Sequence, residues 1–197
     1  MNNQSKSTQS DAAENALRDF DFLYGHWRVA HRKLGKRLQN CTDWETFEST
    51  HECQPLMGGM CNVDEARRTD ATPDEGYVGA SIRCLNLQTR RWSIFWVGGR
   101  DGVLSLPPVV GGFRDCVGTF EADEMFGDRM IRVRFTWSGI SPTSAHWEQG
   151  FSTDGGATWE INWTMAFTRI AAAEYVALQG RSSTTNRAAR VPMTSSN

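Results

Sequence analysis

From Gly25 onward the chain alternates large apolar and polar positions with a period of two, and it keeps that period through most of its length. The clearest run is Trp159-Glu160-Ile161-Asn162-Trp163-Thr164-Met165-Ala166-Phe167-Thr168-Arg169, apolar at almost every second place until an arginine closes it. Strand side chains point alternately to opposite faces, so this run reads as a strand with one apolar face. The same pattern predicts strands at 27–34, 43–53, 60–67, 77–87, 91–97, 109–113, 118–122, 129–138, 143–152 and 159–170. Turn residues separate them, among them Met57-Gly58-Gly59, Gly98-Gly99-Arg100-Asp101-Gly102, Phe126-Gly127-Asp128 and Ser141-Pro142. About nine or ten such strands on short loops make an all-β antiparallel meander, which closes into a barrel to leave no edge open.

Ahead of Gly25 the period is different. Leu17, Phe20 and Leu23 recur at helical spacing, and Asp11 suits the cap of a short N-terminal helix running to about Tyr24. Residues 1–12 and 178–197 are rich in Ser, Thr, Asn and Gln and read as disordered tails, which leaves 13–177 as a single domain. One loop is more specific. Ser152-Thr153-Asp154-Gly155-Gly156-Ala157-Thr158-Trp159 fits the Asp-box pattern S-x-D-x-G-x-T-W, in which Ser and Asp side chains bond the turn backbone and the Trp packs beneath. Its expected role is structural, fixing the last hairpin.

Composition narrows the functional classes. A net charge of −2 gives no electrostatic case for nucleic acid or an anionic membrane. The first residues lack the apolar core of a secretory signal, and no apolar stretch approaches the roughly 18 residues that span a bilayer. Five cysteines with no CxxC or zinc spacing suit a reducing, cytoplasmic setting. Of 21 basic residues only Lys6, Lys33 and Lys36 are lysine, so arginine is the usual cation wherever a carboxylate or ring needs one.

Several segments together resemble a known family. They are Phe20-Asp21-Phe22-Leu23 followed by Gly25 and Trp27, then Leu56-Met57-Gly58-Gly59, Trp92-Ser93-Ile94-Phe95-Trp96-Val97, Trp147-Glu148-Gln149 with Phe151-Ser152, and Asp154-Gly155-Gly156 with Thr158-Trp159-Glu160 and Asn162-Trp163. The pattern spans about 19–170 and is similar to a bacterial family of lipocalin-like (calycin) domains that carries no settled activity. The resemblance implies a barrel with an internal cavity. It also implies that Trp27, the tryptophan of the Gly-x-Trp motif, plugs the base while Arg169 lies across it.

If Arg169 points inward, parity places Trp159, Ile161, Trp163, Met165 and Phe167 inside with it. Val29 and His31 join Trp27, and neighbouring strands contribute Ile131, Val133, Phe135 and Trp137, then Ala145, Trp147, Gln149 and Phe151. Many aromatics with few polar groups make a small-molecule pocket, although packed side chains can also fill a small barrel. The first functional reading is therefore a binder of a small hydrophobic or aromatic molecule, walled by Trp96, Trp137, Trp147 and Trp163 and anchored by Gln149, Arg83 and His31.

The second reading is catalysis. Glu48 shares parity with Trp44, and a buried Glu48 with His31 and Arg83 would suit proton transfer on an aromatic or polyketide-like substrate: a decarboxylase, isomerase or cyclase. Calycin enzymes such as phenolic acid decarboxylases use a barrel this way, an analogy at the level of fold. If the parity is reversed, the site becomes Arg132, Arg134, His146, Glu148, Glu160 and Asn162, otherwise expected to be cross-strand pairs on a wet face. The third reading is an interaction module using the exterior, as a homodimer. No cofactor is expected. Haem, bound by the nitrobindin relatives of this fold through a late histidine, is disfavoured because the last strand has none and the latest is His146. No metal-ligand spacing appears either.

Overall fold

The computed structural model describes residues 16–71 and 76–184. Ten antiparallel strands close into one barrel: β1 Gly25–Leu34, β2 Trp44–Leu56, β3 Cys61–Arg68, β4 Tyr77–Asn86, β5 Arg91–Gly98, β6 Val109–Arg114, β7 Val117–Phe126, β8 Arg129–Ser138, β9 Ser144–Ser152 and β10 Glu160–Arg169. Each strand pairs with its neighbours in sequence, and β1 pairs with β10 to complete the ring. All ten predicted strands are present. Closure satisfies the main-chain donors and acceptors that an open sheet would leave at its edges.

The expected N-terminal helix does not continue to Tyr24, and its first residues, 11–15, lie outside the described residues. Within the described part of 11–24, only Ala16 and Leu17 are helical; a turn follows, then a 3-10 helix over Asp21–Leu23. The tighter turn drops Phe20 and Leu23, both almost fully buried, into the base of the barrel. The longest helix among the described residues is C-terminal: α1, Ala172–Thr184, which crosses the boundary expected at 178. It lies on the outside of β1 and β2, where Arg28 meets Glu174 at 2.6 Å and Gln179 Nε2 donates to Thr50 Oγ1 at 2.9 Å. The remaining tails, 1–15 and 185–197, fall outside the described residues. No described helix is long and apolar enough to cross a membrane.

The base is a solid plug. Phe20 meets Trp92 edge-on at 4.9 Å, Phe113 at 5.1 Å and Trp137 at 6.4 Å between ring centres, and stacks on Phe120 at 5.8 Å. Trp27 is fully buried and its indole N–H donates to the Leu23 carbonyl at 2.7 Å. Arg169 lies across it with Cζ 4.1 Å from the ring centre. The guanidinium also donates to the carbonyls of Pro142 at 2.6 Å, Tyr24 at 2.6 Å, and Phe22. Gly25 explains the glycine of the Gly-x-Trp motif: its φ is +102°, and a Cβ there would sit 3.1 Å from Arg169 Nη1.

The Asp-box hairpin forms as expected. Ser152 Oγ accepts the Gly156 N–H at 2.8 Å and donates to Asp154 Oδ1 at 2.7 Å. Asp154 in turn accepts from the Thr158 main chain at 2.9 Å and its hydroxyl at 2.6 Å, and these bonds hold its carboxyl below the usual range.

Two parity expectations are corrected. In β2 the inward residues are Phe47, Ser49, His51 and Cys53, because they pair with the inward residues of β1: His31 with Phe47, Val29 with Ser49, Trp27 with His51. Glu48 therefore faces out opposite Ala30, and Trp44 lies outside with Arg32 Cζ 4.9 Å over its ring. In β10 the register skips Asn162, so Trp163 pairs with Gln149 while Ile161 pairs with Gly150. This bulge reverses the strand above it. Trp159 and Ile161 turn outward, with Arg134 Cζ 3.9 Å from the Trp159 ring, and Glu160 turns to the inner side opposite Phe151.

Arg169→Ala removes the donor to the part-buried carbonyls of Phe22 and Tyr24 and the cation over Trp27. We expect a loss of about 2–4 kcal/mol in urea unfolding. Glu48→Gln on the outer face should change stability by less than about 0.5 kcal/mol.

Candidate functional site

Above the plug the barrel is hollow. A cavity of about 860 Å³ opens at the end formed by the loops after β1 and β5. Its wall carries Ile94, Trp96, Val133, Phe135, Trp137, Trp147, Gln149, Phe151, Trp163 and Met165. All five residues expected to contact a ligand, Trp96, Trp137, Trp147, Gln149 and Trp163, are therefore on it. Trp163 meets Trp96 at 5.9 Å and Trp147 at 5.7 Å between ring centres, both at 89°, and Phe135 packs on Trp147 at 4.9 Å. Edge-to-face contacts of this kind hold the rings in place and leave their remaining surface toward the lumen. Gly79 makes room for this wall, since a Cβ there would lie 2.2 Å from the Trp96 ring.

The three residues expected to do chemistry separate. Arg83 lies inside, 3% exposed, on the lumen side of β4. Its Nη2 donates to Asp64 Oδ2 at 3.2 Å and its Nη1 to Asn62 Oδ1 at 3.0 Å. Glu48 is on the opposite face of the sheet and takes no part. His31 is inside but fully engaged. The Trp163 indole N–H donates to Nδ1 at 3.1 Å, which requires an unprotonated Nδ1, so Nε2–H donates to Ser49 Oγ at 2.6 Å. The ring is stacked on Phe47 at 4.3 Å. Burial first, then the nearby positive charges, push its pKa far below the usual histidine range. His31 positions Trp163 and Ser49.

Sequence reasoning missed the second histidine. His51 and Asp64 face the lumen from β2 and β3, both on the cavity wall and both about nineteen-twentieths buried. His51 Nδ1 is 3.6 Å from Asp64 Oδ2. Burial alone would raise the Asp64 pKa, but Arg83 and His51 reverse that and hold the carboxyl below its ordinary range; Asp64 Oδ1 also accepts the Ser81 N–H at 3.1 Å. Both ring nitrogens of His51, Nε of Arg83 and Nε1 of Trp137 have no hydrogen-bond partner among the described residues. The signal for this cluster was a mid-strand aspartate one strand from a mid-strand arginine, since a buried carboxylate requires such a partner.

The outward set is dispersed. Arg132 pairs with Asp123 at 2.9 Å, Arg134 covers Trp159, and His146 stands 4.0 Å from Glu148 on the outer face. Glu160 and Asn162 are not on that face: Glu160 accepts the Leu38 N–H at 2.8 Å near the mouth, and Asn162 is the buried bulge residue. Among the described residues, no group of three or more His, Cys, Asp or Glu side chains is gathered as metal ligands.

His31 gives the fold a defined acid sensitivity. Its pKa is depressed in the folded protein, so below about pH 6.5 the unfolded chain takes up a proton that the folded chain does not. The stability it contributes is complete above that pH and is lost as pH falls. Asp64, also depressed, adds a further loss below about pH 3.9. His31→Gln should flatten the slope of stability between pH 6.5 and 4.5 by up to about 1.4 kcal/mol per pH unit, measured by urea unfolding.

No family model matches the chain, and no curated protein matches it. Among solved structures, the chain is similar to EF1p2_mFAP2b bound to DFHBI, with a TM-score of 0.36, 13% identity, and coverage of 79% of this chain and 99% of that one. It is also similar to a redesigned beta barrel, with a TM-score of 0.35, 15% identity, and coverage of 78% and 96%.

Proposed function

We propose that the protein binds a small aromatic or hydrophobic molecule in the upper half of its barrel. The observation that carries this reading is the aromatic wall of Trp96, Phe135, Trp147 and Trp163 around a cavity of about 860 Å³. That volume lies within the range of about 300–1,000 Å³ common for small-molecule sites. Gln149 and Ser81 supply polar groups on the same wall. The resemblance to the bacterial lipocalin-like family supports the same reading.

Catalysis is the second reading, and the His51–Asp64 contact favours it. An imidazole 3.6 Å from a buried carboxylate on a cavity wall, with both ring nitrogens unbonded, has the composition of a general-base site, with Arg83 and Trp137 as neighbouring donors for a developing negative charge. In this reading His51 takes the part first expected of His31 and Glu48.

The neutral probe 2-naphthamide tests the binding reading by isothermal titration calorimetry. We expect saturable one-to-one binding that Trp96→Ala weakens by about tenfold, equivalent to about 1.4 kcal/mol, and that Arg134→Ala on the outer face leaves within about twofold. No saturable binding, or equal losses in the two variants, overturns it.

A further inference from the structure

The rim of the cavity is unbalanced in charge. Four cations line it beyond Arg83: Lys33, Lys36, Arg37 and Arg100, with Arg68 as a fifth. Arg68 is spoken for, since it pairs with Glu45 at 2.9 Å and with Asp70 at 2.9 Å. Among the acids of the rim, Glu45 is thereby occupied, and Asp101 accepts the Val103 N–H at 3.0 Å to hold its own turn. Glu124 remains, and burial raises its pKa despite Arg37 nearby. The side chains of Lys33, Arg37 and Arg100 make no salt bridge with the described residues, although Arg37 lies over the Phe151 ring and in the field of Glu124 and Glu160.

Lys33 is the most closely placed of the three. It is on the inner side of β1, opposite Trp163 in the β1–β10 register, and its Nζ is 3.9 Å from the centre of the Trp163 ring. The same ring forms the aromatic wall with Trp96 and Trp147. A cation is therefore fixed where the apolar wall meets the mouth. Burial, reinforced by Arg37 and Arg100 and opposed by Glu45, lowers the Lys33 pKa to about 8. The amine is partly buried with no carboxylate of the described residues within salt-bridge distance, at a cost that a bound anion would offset.

We infer that the molecule held in the cavity is an aromatic or apolar acid, with its ring system against Trp96, Trp147 and Trp163 and its carboxylate at the mouth on Lys33, flanked by Arg37 and Arg100. The inference rests on the binding function proposed above and adds the polarity and direction of the ligand. The body enters first and the anionic group stays outermost. The opposite orientation would bring a carboxylate toward Asp64, whose own charge already occupies Arg83. Arginine dominates the basic residues of this chain, so a lysine at this position is one of only three in the sequence. A lysine presents its charge as a compact point at the end of a flexible stem and does not require the planar fork geometry of arginine.

The test compares 2-naphthoate with 2-naphthamide, which differ chiefly in charge, by isothermal titration calorimetry on the full chain at pH 7. The expected result is tighter binding of naphthoate by about tenfold or more, a preference that shrinks to less than about threefold in Lys33→Met and is retained in Lys33→Arg. Equal affinity for the two compounds in the native protein overturns the inference while leaving the binding function intact. Failure of both compounds to bind overturns the binding function itself. A preference for naphthoate that survives Lys33→Met shows the anion to be read elsewhere and also overturns the assignment. The native comparison needs no variant, so the inference stays falsifiable if a substitution impairs folding.

Discussion

Everything hollow in this barrel depends on the closure of its base. Trp27, buried under the guanidinium of Arg169, joins the first strand to the last, and that same guanidinium bonds the main chain of the segment that enters the barrel. Phe20 and Leu23 complete the seal from below, with Trp92, Phe120 and Trp137 around them. Apolar burial is concentrated there, and its contribution scales with the area removed from water. A ring of ten strands encloses more space than its side chains must fill. With the base packed, the upper half is free to remain open.

The polar groups of the lumen are sorted by height. In the wall, Asp64 is stabilised as a carboxylate by Arg83, and His51 lies against the same oxygen. Removal of Arg83 alone would strand that charge in a dry place, so Arg83 is as much a structural residue as a functional one. His31, one strand from His51, has both nitrogens committed and belongs to the frame that orients Trp163. At the mouth the balance shifts to cations, of which Lys33, Arg37 and Arg100 make no salt bridge with the described residues. Aromatic surface below and positive charge above give the cavity a direction.

Much of this architecture was legible in the sequence, because strand periodicity and turn chemistry are local. All ten strands appear where alternation places them, and the Asp-box loop closes through the bonds its residues imply. Facing was legible wherever an uninterrupted strand ended in a known anchor, as in β1, β8 and the lower part of β10. It failed where non-local packing intervened. In β2, Thr50 is buried from outside by the C-terminal helix, which blurs the alternation across Ser49, Thr50 and His51 and conceals the inward histidine. In β10, the bulge at Asn162 reverses Glu160 and Trp159 without any glycine or proline to mark it. The C-terminal helix itself had a readable signal in Ala171-Ala172-Ala173-Glu174-Tyr175-Val176-Ala177-Leu178-Gln179, a run of strong helix formers, before the polar tail. The mouth charges escaped notice because their loops come together only on closure.

The claim at the centre of this account is that the upper lumen, and no outer surface, takes the ligand. Eight tryptophans distributed over plug, wall and exterior allow a direct test, since each indole N–H gives its own resonance in a nitrogen-15 spectrum. On titration with 2-naphthamide the signals of Trp96, Trp147 and Trp163 should move together, while those of Trp44 and Trp159 on the outside remain in place. Shifts confined to Trp44 and Trp159, with the wall tryptophans unmoved, would contradict it.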